Sequence, residues 1–221
     1  MKILTFDTSS EILYVTISEN SEVLASKVVA TNQNNYNSTY LIPTIADMLK
    51  EFNLDMQDIQ AIGVNIGPGS FTGLRASVVV AKVIAQQLNI PAVGVSSMEI
   101  YSMLNKTEKP SLCLLDARRG KAYMALYSRD KNVEPQAVEY DDALEYAKNN
   151  DCVIICDKKM SEIIKNADLH CLNLSEVNEN FGLLLAKLTQ NYLNNGNNEL
   201  YGWANLKPLY IQPPPIHSSK K

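Results

Sequence analysis

The chain has 221 residues, with 24 acidic against 20 basic side chains and a formal net charge of −4. Its 46% hydrophobic and 20% charged residues are the balance of one large or two small globular domains and exclude a disordered chain. The acidic surplus is a poor footprint for gripping nucleic acid alone, no apolar run approaches the ~18 residues of a membrane span, and two distant histidines, His170 and His217, exclude a His-rich metal site.

In chain order, Ile3 to Phe6 reads as a short strand, and Ile12 to Ser18 as a second, rich in β-branched and aromatic residues. A third strand runs from Glu22 to Val29, and the polar stretch Thr31 to Asn35 as a loop. From Ser38 to Phe52 the apolar residues Leu41, Ile45, Met48, Leu49 and Phe52 recur at helical spacing, with Pro43 near the start. Ile59 to Ile66 is a buried strand, Phe71 to Leu88 a long helix and Pro91 to Val95 a short strand. The second half repeats the pattern: strands over Leu112 to Asp116, Lys121 to Tyr127 and Val133 to Tyr140, a helix over Asp141 to Lys148, a strand over Cys152 to Cys156. A short helix at Ser161 to Asn166, a strand near Leu169 to Leu172 and a helix from Val177 to about Leu193 complete it. Met1 to Asp7 lacks the apolar core of a signal peptide. The four cysteines lie mostly in apolar, strand-like stretches, as buried reduced thiols of a cytoplasmic chain do.

The repeat holds at residue level. With Asp7 laid over Asp116, Tyr14 falls on Tyr123 and Ile17 on Leu126. Each half is then a strand, a turn opening with Asp, and a further strand. The expected fold is therefore a duplicated α/β architecture of the actin-like, Hsp70-like and sugar-kinase-like type, two lobes with a cleft between them. In those ATPases the paired Asp turns hold phosphates and a metal ion through backbone N–H groups. Lobe one is expected over about 1–105, lobe two over about 110–205, and a Pro-rich tail over 206–221.

The most specific stretch is Asn65 through Arg75, NIGPGSFTGLR, between a strand and a helix. A phosphate-binding G-x-x-x-x-G-K-S/T fails, because Leu74-Arg75 follows the last glycine. Gly67, Gly69 and Gly73 give G-x-G-x-x-x-G instead of the dinucleotide G-x-G-x-x-G. A nucleophile elbow needs glycine two residues before Ser70, where Pro68 stands. A tight structural turn built by Gly67, Pro68, Gly69, Ser70 and Gly73, with Ser70 or Thr72 as the helix cap, stays open beside these.

GPGSFTGLR, with AIGVNI before it and VVVAKVIAQQLNIPAVGVSSME after it, strongly resembles the bacterial TsaB (YeaZ) family, as do ILTFDTSS and LLDARRGKAYMALY. The resemblance is clear over about residues 1–127 and weaker beyond. It implies a role in making threonylcarbamoyladenosine at tRNA position 37, as partner of TsaD, a catalytic relative of the same fold in the glycoprotease-like (peptidase M22-like) superfamily. It further implies a TsaE-type ATPase in a larger complex, contact with tRNA through the complex, and a homodimer when the chain is alone. The relative's two metal-binding histidines fall on Ser97 and Tyr101, whose hydroxyls are weak metal ligands. Ser97 is expected to cap the helix that follows it. The first phosphate turn, Asp7-Thr8-Ser9-Ser10, lacks the glycine of Asp-x-Gly, and the second, at Asp116, carries Arg118 and Arg119 before a late Gly120. The expectation is a non-catalytic chain that holds neither cofactor nor metal, with ATP and metal in the partner subunit. The competing readings are an ATP-dependent kinase or metallopeptidase of the same fold, or a homodimeric module without a tRNA role.

On the helix from Phe71 to Leu88, Leu74, Val78, Ala81, Ala85 and Leu88 share one face, and Ala76, Val80 and Val83 a second, with Val79 and Ile84 at its margins. Two apolar faces imply burial on both sides, by neighbouring helices of the same domain or by a partner. In the resembled family this helix and the preceding one form the partner interface, which assigns Leu41, Ile45, Met48, Leu49, Ala76, Val80 and Val83 to it. Cys152 and Cys156, four apart in a strand, sit about 13 Å from each other at ~3.3 Å per residue, too far for a disulfide.

Overall fold

The computed structural model describes residues 1–30, 38–196 and 201–212, so the expected loop at Thr31 to Asn35 and the tail beyond residue 212 lie outside the described residues. The chain divides into two compact units, 1–104 with 178–209 and 105–177 with 210–221.

In the first unit, β1 (Lys2–Asp7), β2 (Ile12–Glu19), β3 (Glu22–Ala30), β4 (Ala61–Gly67) and β5 (Ala92–Ser96) form one sheet in the order β3-β2-β1-β4-β5. β1 to β3 are antiparallel neighbours, while β1, β4 and β5 run parallel. Alternation along the strands sends Leu4, Phe6, Val15, Ile62 and Val64 to one face. There α1 (Ser38–Glu51) and α2 (Phe71–Leu88) cover them, contributing Leu41, Ile45, Met48, Leu49, Val78, Ala81 and Ala85 to the same core.

The opposite face is covered by α6 (Phe181–Asn195), which packs on β1, β2, β4 and β5. The approach is close: a Cβ on Gly63 of β4 would run into the Thr189 side chain. This corrects the expected boundary, which gave the last helix to lobe two. Thr5, Tyr14 and Thr16 on that face are buried. Leu206 also returns to the first core, and the Leu209 N–H donates to the Ile66 carbonyl at 2.8 Å, so the tail begins inside unit one.

The second unit repeats the topology. β6 (Ser111–Asp116), β7 (Lys121–Tyr127), β8 (Val133–Glu139), β9 (Val153–Cys156) and β10 (Cys171–Asn173) are ordered β10-β9-β6-β7-β8. Strand for strand this is the order of the first sheet, with the same antiparallel and parallel pairs, which makes the fold the duplicated actin-like architecture. α4 (Tyr140–Asn149) and α5 (Lys158–Asn166) bury Ala143, Ala147, Met160 and Ile164 against Leu112, Leu114, Met124 and Ile154.

The equivalence of Tyr14 and Tyr123 does not hold. Tyr14 pairs with Asp7, but Ala122 pairs with Asp116 and Tyr123 with Leu115. The second hairpin is one residue tighter, and a one-residue slip moves a side chain to the other face. All four cysteines are free thiols, with Cys152 just outside β9.

Candidate functional site

β1 and β4 are parallel neighbours, so their C-terminal ends bring Asp7 and Asn65 together. The Ser9 backbone N–H donates to Asp7 Oδ1 at 2.7 Å, and Asn65 Nδ2 donates to Asp7 Oδ2 at 2.8 Å and to Ser9 Oγ at 3.1 Å. Asn65 Oδ1 in turn accepts from the Gly67 N–H and the Ser97 hydroxyl, each at 2.8 Å. Asp7, Ser9, Asn65 and Ser97 are all buried. Burial pushes the Asp7 carboxyl above its ordinary range, and the hydrogen bonds from Ser9 and Asn65 pull it back. Beside it, Tyr14 is pushed up to about 12 by burial and by the Asp7 charge.

The glycine-rich turn packs onto the Asp7 turn itself. The Ser70 N–H donates to the Ser9 carbonyl at 2.7 Å, and the Thr8 hydroxyl donates to the Gly73 carbonyl at 2.8 Å. A Cβ on Gly73 would overlap the Thr8 carbonyl oxygen, and one on Gly69 would come within 2.6 Å of the Ser9 carbonyl oxygen. These two glycines are there for close approach of backbone to backbone. Gly67, joined to Pro68 by a cis bond, has φ +106°. Of the two candidate caps for α2, Ser70 is the one used, its Oγ accepting from the Gly73 N–H at 3.4 Å.

Phosphate binding by the actin-like relatives needs free N–H groups in this turn. Here the Ser9 N–H is held by Asp7, and the loop from Gly69 to Gly73 lies against Thr8 and Ser9. Ser97 and Tyr101, at the relative's histidine positions, are committed elsewhere: Ser97 to Asn65, and the Tyr101 ring edge-on to Phe181 at 5.1 Å. Ser97 is not the helix cap either. Ser96 caps α3 (Ser97–Ser102), accepting from the Met98 N–H, which frees Ser97 to turn inward. Sequence reasoning missed Asn65. A polar side chain inside the apolar strand AIGVNI was the available signal, since a buried amide must find partners.

The second turn is built differently. Asp116 Oδ1 accepts from the Arg118 N–H at 2.8 Å and from the Tyr140 hydroxyl at 2.7 Å. The Asp116 N–H donates to Asp157 Oδ2 at 2.7 Å, and Asp157 also caps α5 by accepting from the Met160 N–H. Arg118 and Arg119 are exposed and both have left-handed backbone, φ 63° and 54°.

The expected partner face is partly corrected. Leu41, Ile45, Met48 and Leu49 lie in the unit's own core and present nothing outward, because the apolar stripe of α1 is consumed by the sheet. The outward side of α1 instead shows Ile42, 63% exposed. On α2, Ala76 and Val80 are half-buried, Val80 packing against the core, while Val79 (59%) and Val83 (52%) are exposed. Phe71 is exposed too, with the Arg75 guanidinium 3.9 Å from its ring centroid.

Among the described residues no helix is long and apolar enough to cross a membrane, and no three His, Cys, Asp or Glu side chains gather as a metal site would require.

Comparison with known proteins bears on the whole chain. Residues 26–169 match the family model described as TsaD, tRNA N6-adenosine threonylcarbamoyltransferase. The chain is 32% identical over 157 residues to the tRNA threonylcarbamoyladenosine biosynthesis protein TsaB of Bacillus subtilis, covering 68% of each. It is 30% identical over 135 residues to TsaB of Escherichia coli, covering 60% of this chain and 57% of that one. Two solved Pseudomonas aeruginosa proteins share the fold at 19% identity. One is described as similar to peptidase YeaZ (TM-score 0.74, covering 96% of this chain and 99% of that one), and the other is YeaZ (TM-score 0.69, covering 95% and 99%). With its repeated sheet order, its glycine-rich turn sealed onto the Asp7 turn and a TsaB relative matched over two thirds of its length, the chain belongs to the TsaB (YeaZ) family.

Proposed function

We propose that this chain works in the synthesis of threonylcarbamoyladenosine at tRNA position 37 as a non-catalytic subunit, binding a TsaD-type catalytic homologue that supplies the ATP and metal sites. The observation that carries the reading is the closed first turn. Where an ATP-binding relative needs open backbone donors, this chain has a buried Asp7–Asn65–Ser97 network and the loop from Gly69 to Gly73 fastened over Thr8 and Ser9. A surface for a partner is supported by Ile42, Val79 and Val83, exposed apolar residues on neighbouring helices. Such a face suits association with a homologue carrying the same pair of helices, or with a second copy when the chain is alone. A TsaE-type ATPase would join the complex, and tRNA would be reached through it.

The test is co-purification with the TsaD-type protein, together with phosphate release and elemental analysis on the isolated chain. Capture of that partner, with no ATP hydrolysis above background and no metal, is the expected result. A stoichiometric nucleotide, or one equivalent of zinc or iron with measurable turnover, would favour an enzyme of the same fold and overturn the reading.

A further inference from the structure

The turn from Ala117 to Gly120 holds two arginines where the backbone favours asparagine or glycine. Arg118, Arg119 and Gly120 have successive φ values of 63°, 54° and 78°. A side chain with a Cβ is disfavoured there, and a pair of long ones more so. The conformation is held from several sides: by Asp116 on the Arg118 N–H, by the Lys121 N–H donating to the Arg118 carbonyl, and by the Tyr140 N–H donating to the Gly120 carbonyl at 3.0 Å. Strain that is maintained this firmly points to a use for the residues that bear it.

The two guanidiniums say what use. Neither guanidinium has an ion pair or hydrogen bond among the described residues, whereas nearby Lys121 and Lys159 pair with Glu139 and Glu162. Half-buried Asp116 accepts from the Arg118 N–H and the Tyr140 hydroxyl, and half-buried Asp157 from the N–H groups of Asp116 and Met160, while Asp141 and Asp142, next to Tyr140, are exposed. The link from Asp116 to Asp157 sets the turn beside the start of α5, where Lys158 is exposed. Three exposed cations thus lie at this end of the unit, alongside the exposed carboxylates of Asp141 and Asp142.

We propose that Arg118 and Arg119, with Lys158 beside them, form a docking point for the phosphodiester groups of RNA. Guanidinium forks match phosphate oxygens in pairs, and side chains raised on an exposed hairpin turn suit the backbone of a long polyanion. The formal charge of −4 makes this one contact within a larger assembly, not an independent RNA-binding surface. The proposal rests on the reading that the chain acts on tRNA through a complex.

The experiment replaces both residues by the side chain that the backbone prefers, Arg118→Asn with Arg119→Asn, and uses Arg129→Asn as a control for charge. Arg129 is an exposed arginine paired with Glu108. Each chain is first assembled with the TsaD-type partner and checked by gel filtration, then titrated with unmodified tRNA over a series of salt concentrations. The double variant should melt no lower than the parent, assemble normally, and lose about tenfold in tRNA affinity. Its slope of log affinity against log salt should shrink by about one to two. The Arg129 variant should match the parent. Unchanged affinity and slope in the double variant, or an equal loss in the Arg129 variant, would overturn the proposal. So would a double variant that no longer assembles, since the turn would then be a protein contact. Failure of the parent chain itself to assemble would overturn the function proposed above along with it, and shows before any tRNA is added.

Discussion

Asn65 is the side chain on which the first turn depends. It donates to Asp7 and Ser9 and accepts from Gly67 and Ser97, so Asn65→Leu would take a partner from Asp7 Oδ2, the Ser97 hydroxyl and the Gly67 N–H together. Leaving buried polar groups without a hydrogen-bond partner costs about 1–3 kcal/mol each, and the urea midpoint should fall accordingly. Asn65→Gln, which keeps the amide but not its reach, should recover little. Tyr14 sets a second expectation, in pH. Its phenol is held at about 12 in the fold against about 10 unfolded, so the native state binds that proton more tightly. The stability this contributes is complete below pH 10 and is lost as pH rises through 12. Urea midpoints measured from pH 9 to 12 should decline, and Tyr14→Phe should flatten part of that decline.

At the scale of elements, α2 tests how its two faces are used. Val78 is 3% exposed in the core and Val83 52% exposed on the outer side. Val78→Asp buries an unpaired carboxylate and should abolish the cooperative thermal transition. Val83→Asp should leave that transition within about 0.5 kcal/mol of the parent while preventing capture of the TsaD-type partner. Normal capture by Val83→Asp would remove the outer face from the interface. The N-terminus of α2 gives an independent check. Gly73→Ala drives a methyl into the Thr8 carbonyl, and both neighbours are backbone. The turn must open, with an expected cost of about 1–3 kcal/mol by thermal denaturation.

For the whole molecule, the first unit is discontinuous: 1–104 needs 178–209. Without α6, one face of the first sheet, including Tyr14 and Thr16, would be exposed. A fragment ending at Val177 should therefore lose the cooperative transition of unit one, although it removes no strand of that sheet. A peptide spanning 178–209 added in trans should restore it. A fragment that melts like the full chain would contradict the packing.

The sequence by itself determined the strands, the long helices, the duplicated order and the family. Those follow from local periodicity, turn chemistry and a nine-residue motif that neighbouring residues carry together. The inward face of α2 was legible for the same reason, since Leu74, Val78, Ala81 and Ala85 recur at helical spacing. Only the tertiary structure decided where α6 docks, because an amphipathic helix does not state which of two similar sheets it covers. It also decided that Leu41, Ile45, Met48 and Leu49 belong to the core: one apolar stripe fits a sheet or a partner equally well until the sheet is in place. The one-residue difference between the hairpins, and with it the side of the sheet on which Tyr123 lies, came from backbone pairing that an ungapped alignment cannot register. Asn65 reaches Asp7 across 58 residues and Ser97 reaches Asn65 across 32, and hydrogen bonds of that range leave no local pattern in the chain.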